Sequence, residues 1–262
     1  MCSLNCLRVF PILLCLYALA SIGSASAGSI TLYDDTAGNA PNMQPWLLAA
    51  ANGSTVTTVT SEGVSLTSSN GVSAGYSNYI PIINVMKNSE FPTLDNTLGF
   101  SVSFELQIGS ETHTSNDRAG FSVILLDGNH QGIELGFWEG EVWAQNIDFT
   151  HGEGVTFDTS TNEVLYELTI LDNNYELIAD STTLLQGSLR DYNNPSIPYS
   201  LPSFLFLGDN TSSAGANITL GDITLSTTDP ASVPTPAVVW LFGSGVVSLV
   251  GFSRKKKDQR AA

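Results

Sequence analysis

From Phe100 to Ile108 the sequence reads Phe-Ser-Val-Ser-Phe-Glu-Leu-Gln-Ile, with an apolar side chain at every second position. A period of two puts those apolar groups on one face of an extended strand and the polar ones on the other, whereas a helix would scatter them around its circumference. One buried face and one wet face is the mark of a strand in a layered β structure. Val164, Tyr166, Leu168 and Ile170 repeat the alternation, Asp172-Asn173-Asn174 supplies a turn, and residues 175–179 return, so the segment reads as a hairpin. Ile133, Leu135 and Phe137 alternate with Glu134, Gly136 and Trp138, and Glu139-Gly140 leads into a short strand through Val142 and Ala144.

Further strands are expected over 30–33, 55–60, 121–126, 204–207 and 218–225. A short helix is expected over 43–51, starting near Pro45 and ending before Asn52-Gly53. No window carries a long helical stripe, no internal repeat is present, and Gly, Asn, Ser and Thr punctuate the chain at the spacing of an all-β sandwich.

The two ends have a different character. Arg8, an apolar run over 9–20 and the small-residue stretch Ser24-Ala25-Ser26-Ala27-Gly28 make the pattern of a secretory signal peptide over 1–27, with cleavage expected after Ala27. The apolar run is short of the ~20 residues that a bilayer span needs. Cys2, Cys6 and Cys15 all lie in the segment to be removed. The exported domain is then thiol-free, which excludes disulfides, cysteine-ligated zinc and cysteine nucleophiles from it. At the other end Val233-Pro234-Thr235-Pro236 precedes an apolar run over 237–252 and the cluster Arg254-Lys255-Lys256-Lys257. The basic cluster places the C-terminus on the cytoplasmic side. The apolar run rises ~24 Å as a helix, and snorkelling lysines extend its reach toward a ~30 Å hydrocarbon layer.

The Pro-x-Pro element, the Trp-Leu-Phe-Gly-Ser-Gly run beginning at Trp240 and the terminal basic cluster, taken in that order, resemble the PEP-CTERM sorting signal of Gram-negative bacteria that make exopolysaccharide. The resemblance covers about the last thirty residues and has Thr235 where the family name implies Glu. It implies an exosortase-like membrane protease as partner, with Val233, Pro234, Thr235 and Pro236 as the sorting motif. It also implies export across the inner membrane, anchoring there through a transmembrane helix over 237–252 with a basic tail over 254–260, and delivery to the cell surface or extracellular matrix. The chain thus divides into a signal peptide (1–27), one domain (28–229) and a sorting signal (230–262).

Between Gly28 and Asp229 lie 24 acidic residues and only three basic ones, Lys87, Arg118 and Arg190, a net charge near −21. Repulsion disfavours nucleic acid and anionic membrane as partners, while solubility outside the cell and attraction of divalent cations are favoured. A second resemblance spans roughly residues 98–226. The run Ala-Gly-Phe-Ser-Val-Ile-Leu-Leu over 119–126, Gly-Ile-Glu-Leu-Gly-Phe-Trp over 132–138, Tyr166-Glu167-Leu168, Tyr175-Glu176-Leu177 and Phe-Leu-Phe-Leu-Gly-Asp-Asn-Thr-Ser over 204–212 are similar to the choice-of-anchor module of exported PEP-CTERM proteins. That module implies a jelly-roll β-sandwich like concanavalin and laminin G. Such a sandwich hosts lectins, enzymes and adhesion modules alike, so the resemblance carries fold and not function.

Several strings bear on chemistry. Glu134 and Glu139 are the nearest match to the carboxylate pair of a laminarinase-type glycosidase, but Gly136 stands where an assisting Asp is needed and residues five apart on a regular strand point to opposite faces. Gly71-Val72-Ser73-Ala74-Gly75 matches the G-x-S-x-G string of a nucleophile elbow, which requires a strand before it and a helix after it. Beyond Gly75 the chain runs through 76–80 to Pro81, a poor helix start. His113, His130 and His151 form no metal-binding spacing and read as solvated loop residues. Calcium is the one cofactor the oxygen-rich loops offer, with Asp127 and Asn129 as candidate ligands and 153–158 as a second acidic stretch.

Trp138, Glu139, Glu141 and Trp143 surround a hairpin tip, where indoles stack on a sugar face and carboxylates accept from its hydroxyls, or where the indoles fill the core. The sequence therefore predicts an exosortase-sorted surface or matrix protein. Its lectin-like domain would act by binding or structure, associated with exopolysaccharide and without turnover. The alternative is an extracellular polysaccharide hydrolase or lyase.

Overall fold

The alternating segment is the first part of a 14-residue strand, Phe100–His113. In the computed structural model of this chain it lies centrally in one of two antiparallel sheets. The structure describes residues 26–51, 56–69, 71–80, 83–192 and 196–229. Most of the signal peptide and all of 230–262, with Val233, Pro234, Thr235, Pro236 and the expected transmembrane helix, lie outside the described residues. Among the described residues no helix is long and apolar enough to cross a membrane.

In chain order the strands are β1 (Ser26–Tyr33), β2 (Leu48–Ala51), β3 (Val56–Thr60), β4 (Gly63–Thr67), β5 (Ala74–Ser77), β6 (Tyr79–Ile80), β7 (Val85–Met86), β8 (Phe100–His113) and β9 (Phe121–Leu126). They continue as β10 (Gln131–Trp138), β11 (Glu141–Gln145), β12 (His151–Thr156), β13 (Val164–Leu171), β14 (Asn174–Ala179), β15 (Thr182–Ser188), β16 (Arg190–Asp191), β17 (Leu205–Asp209) and β18 (Ala214–Asp229). The first sheet runs β15-β14-β13-β8-β18-β4-β3, with β1 also on β18. The second runs β12-β11-β10-β9-β17-β5-β2, with β16 on β10. The fold is an all-β antiparallel sandwich.

The alternation explains the layering. Phe100, Val102, Phe104, Leu106 and Ile108 of β8 enter one core with Ile133, Leu135 and Phe137 of β10. Phe104 meets Phe137 edge-on across the two layers, centroids 6.0 Å apart, and lies flat on Tyr166 of the neighbouring β13 at 5.3 Å. Each such side chain withdrawn from water contributes roughly 1.5–3 kcal/mol.

The second sheet is also covered on part of its outer face. β9 is buried along its whole length: Phe121, Val123 and Leu125 point between the sheets, while Ile124 and Leu126 join an outer cluster with Tyr192, Tyr199, Leu201 and Phe206. This is why 121–126 reads as a nearly continuous apolar run and not as an alternation.

The helix expected over 43–51 does not form. A single 3-10 turn, Pro41–Met43, is followed by β2, which pairs with β5. The Lys87 ammonium donates to the carbonyls of Asn42, Gln44 and Leu47, holding from outside acceptors that a helix would satisfy internally. Nor is there a nucleophile elbow, because Ser73 leads directly into β5 without a helix.

Candidate functional site

The hairpin of β10 and β11 pairs Gly136 with Trp143 and Trp138 with Glu141. Since Leu135, Phe137, Val142 and Ala144 belong to the inter-sheet core, Glu134, Gly136, Trp138, Trp143 and Gln145 project from the opposite, outer face. Gly136 is required there: a Cβ would stand 2.6 Å from the Trp143 ring, so only glycine lets the indole lie across the strand.

The outer face carries two indole–imidazole stacks. Trp138 lies on His113 with centroids 4.3 Å apart and planes 10° apart, and Trp143 lies on His151 at 4.4 Å and 13°. The indoles themselves are 5.7 Å apart. Trp138 is half-buried and donates from Nε1 to the Arg118 carbonyl at 3.0 Å. Trp143 is only 1% exposed, and its Nε1 has no hydrogen-bond partner. His113 ends β8 and His151 opens β12, so both stand in strands and not in the loops that their local sequence indicates, although His113 is exposed as expected.

Carboxylates bracket this aromatic strip. His151 Nε2 is 3.1 Å from Glu141 Oε1, and His113 Nδ1 is 2.9 Å from Glu111 Oε2. Glu139 is exposed at the hairpin tip and accepts from the Glu111 amide at 2.9 Å. The Glu111 side chain is nearly buried, and that burial raises its carboxyl above the ordinary range.

Farther along the same face, Glu134 is 2% exposed. Tyr199 donates its hydroxyl to Oε2, Asn210 Nδ2 donates to Oε1 at 2.9 Å, and the Glu134 amide donates to the Tyr192 hydroxyl at 2.9 Å. Burial raises the carboxyl; the Tyr199 and Asn210 hydrogen bonds and the charge of Arg118 act against it. Phe149, Tyr192 and Tyr199 stack over this position, with Arg118 5.7 Å above the Phe149 ring. Glu134 and Glu139 therefore stand in unlike surroundings, one roofed and one at an open tip. Two grooves elsewhere among the described residues, one beside Glu176 and one beside Asp95, bring one carboxylate each.

Asp127 is buried in the turn after β9, where Oδ1 accepts from the amides of Asn129 at 2.7 Å and Gln131 at 2.9 Å. Its Oδ2 has no partner. The acidic stretch 153–158 is likewise engaged: Glu153 pairs with Arg190 at 2.6 Å, and Asp158 accepts from Ser160 and Thr161, which lowers its carboxyl.

Sequence reasoning found both tryptophans but missed His113, His151, Arg118, Tyr192, Tyr199 and Asn210. Each reaches the site from a separate segment, and no local spacing records that.

The molecule is thus a β-sandwich with an aromatic, acid-bracketed strip on one outer face. No protein-family model matches the sequence, and no curated protein does. Among solved structures the chain is similar to a carbohydrate esterase from the Shiga toxin-encoding bacteriophage phi24B, with 12% identity over 77% of this chain and 100% of that one and a TM-score of 0.49. It is also similar to the carbohydrate recognition domain of Emp46p in metal-free form (13% identity, 74% and 94% of the two chains, TM-score 0.46). A third is the exoplasmic/lumenal domain of VIP36 in its Ca2+-bound form (10% identity, 77% and 91%, TM-score 0.47).

Proposed function

We propose that this is an exported cell-surface or extracellular-matrix protein of a Gram-negative bacterium, whose jelly-roll sandwich binds neutral carbohydrate at the Trp138 strip without chemical turnover. The observation that carries the binding reading is the half-exposed indole of Trp138, braced flat by His113 and flanked by Glu139 and Glu141. A rigid aromatic surface beside acceptor oxygens suits a sugar ring, whose C–H face stacks while its hydroxyls donate. The sorting reading is supported by the sequence around Val233, Pro234, Thr235 and Pro236 and by the basic tail, with an exosortase-like protease as partner. A glycan array probed with residues 28–229 tests the first part, and failure to retain any neutral glycan sinks it. Mass spectrometry of surface material tests the second, since a mature form that keeps the basic tail over 254–260 excludes processing.

A polysaccharide-active enzyme is the second reading, and Glu134 is what favours it. A buried carboxyl raised above its ordinary range, beside a tyrosine hydroxyl and an arginine, has the chemistry of a general acid. Release of new reducing or unsaturated ends from polysaccharide, abolished by Glu134→Gln, decides for it.

A further inference from the structure

The Trp138 strip is acidic as well as aromatic. Trp138 and Glu141 are directly paired across the β10–β11 hairpin, so their side chains leave the same face of the sheet with Cβ atoms about 4.5–5.5 Å apart. The Glu141 side chain stays 33% exposed. Glu139, at the exposed tip, rests one carboxylate oxygen on the Glu111 amide, two residues before the His113 that lies flat on Trp138. Two carboxylates therefore border a half-exposed indole.

No lysine or arginine answers them. Lys87 is bonded to the carbonyls of Asn42, Gln44 and Leu47, Arg118 to those of Asp117 and Phe149, and Arg190 to Glu153. Among the described residues, the Glu139 and Glu141 carboxylates accept only from a backbone amide and an imidazole. An indole face draws a cation to within about 6 Å of the ring centroid, and carboxylates beside it add to that attraction. Trp143 adds a different demand on the same outer face: its buried Nε1 has no partner and lies over Gly136. A buried donor calls for an oxygen. A sugar brings such oxygens with it, whereas a lysine side chain brings an ammonium alone.

We propose that the strip selects among glycans by charge and prefers an amino sugar, whose ring stacks on Trp138 while its protonated amino group lies against the Glu141 and Glu139 carboxylates. This rests on the carbohydrate reading of the strip and goes beyond it. A neutral ring of the same shape still stacks on the indole, but it leaves both carboxylates without a cation, so it binds more weakly.

The test is calorimetric titration of the full chain with an oligosaccharide of glucosamine and with the glucose oligomer of the same linkage and length. The amino form should bind about fivefold tighter at low ionic strength. Salt should shrink that ratio, because the Debye length falls from roughly 30 Å at 0.01 M to 3 Å at 1 M. N-acetylation of the glucosamine oligomer, which removes the charge and keeps the ring, should abolish the advantage. Glu139→Gln combined with Glu141→Gln should bring the ratio near one, whereas Glu176→Gln, in a groove elsewhere, should leave it unchanged. Should the double variant melt abnormally, Glu139→Gln alone, at the exposed tip, should still lower the ratio. Equal affinity of the parent for the two oligomers overturns the proposal and leaves the Trp138 reading standing, whereas binding of neither sinks both. A ratio that survives loss of both carboxylates overturns their assignment and leaves the general charge of the domain as the cause. Polylysine bound as tightly as the glucosamine oligomer overturns the assignment to a sugar.

Discussion

Trp143 lies flat against the imidazole of His151, with ring centroids 4.4 Å apart and planes 13° from parallel, so the imidazole covers an indole that sits on the outer face of a sheet. This separates the two tryptophans of the hairpin. Trp143 is packing, closed over by His151, whereas Trp138 keeps part of its surface open. Trp143→Ala should therefore cost about 3–5 kcal/mol as a large-to-small change at a buried site. His151→Ala should cost less, about 0.5–1.5 kcal/mol for the lost ring contact. Urea unfolding of the two variants beside the parent checks the order.

Glu134 provides a second expectation. Its two oxygens accept from Tyr199 and Asn210, and an amide at the same position satisfies both partners, because the Tyr199 hydroxyl can accept as well as donate. Glu134→Gln should keep the fold. Tyr199→Phe should destabilise it by about 1–3 kcal/mol, by leaving a buried carboxylate oxygen unpaired. Thermal melts at pH 6 and pH 8 test this. Tyr199→Phe should lose more at pH 8, where the carboxylate is charged more of the time.

Much of this architecture was legible from residue order, and the limits are physical. The expected strand over 121–126 is the observed β9, and those over 100–108 and 164–170 differ from β8 and β13 only in extent, because a face packed on a second layer imposes its period on the sequence. β2, β4, β5 and β15 were not visible. They lie toward the sheet margins and are built largely from Gly, Ala, Ser and Thr, which carry no apolar period. The Leu-Ala-Ala-Ala run of β2 has helical propensity, yet it pairs with β5, where Gly75 lets neighbouring groups approach closely. At the site, the indoles were legible because aromatic residues at a hairpin tip are conspicuous. Their partners His113, Arg118 and His151 come from other segments and signal nothing locally.

The acid dependence of stability should carry the mark of Asp209. This residue is 1% exposed, its Oδ2 has no partner, and burial pushes its carboxyl up to about 7. Between about pH 4, where an unfolded aspartate titrates, and pH 7 the folded state holds a proton that the unfolded chain has released. The neutral form therefore stabilises the fold at low pH, and that contribution is lost as pH rises through 7. The amplitude is a few kcal/mol, because each pH unit separating the folded from the unfolded titration is worth roughly 1.4 kcal/mol. Glu111, also raised by burial, adds in the same direction. Asp209→Asn should flatten the decline in melting temperature between pH 5 and pH 8 and make the protein more stable than the parent at pH 8. An unchanged slope would show that the carboxyl is not held neutral.

The strip itself is tested by Trp138. With a net charge near −21 over residues 28–229, the domain repels acidic polymers unless a divalent cation bridges them, and neutral glycans meet no such barrier. Intrinsic tryptophan fluorescence should change on titration with a neutral polysaccharide. The change should be independent of calcium, because a neutral glycan needs no cation to bridge it to the acidic domain. Trp138→Ala should weaken that binding about tenfold, the equivalent of roughly 1.4 kcal/mol, while lowering stability less than Trp143→Ala does, since Trp138 is only half-buried. Glu141→Gln should weaken binding by a smaller factor if its carboxylate accepts from a sugar hydroxyl. Undiminished affinity in Trp138→Ala, with the parent binding normally, would remove the indole from the site and with it the carbohydrate reading of this face.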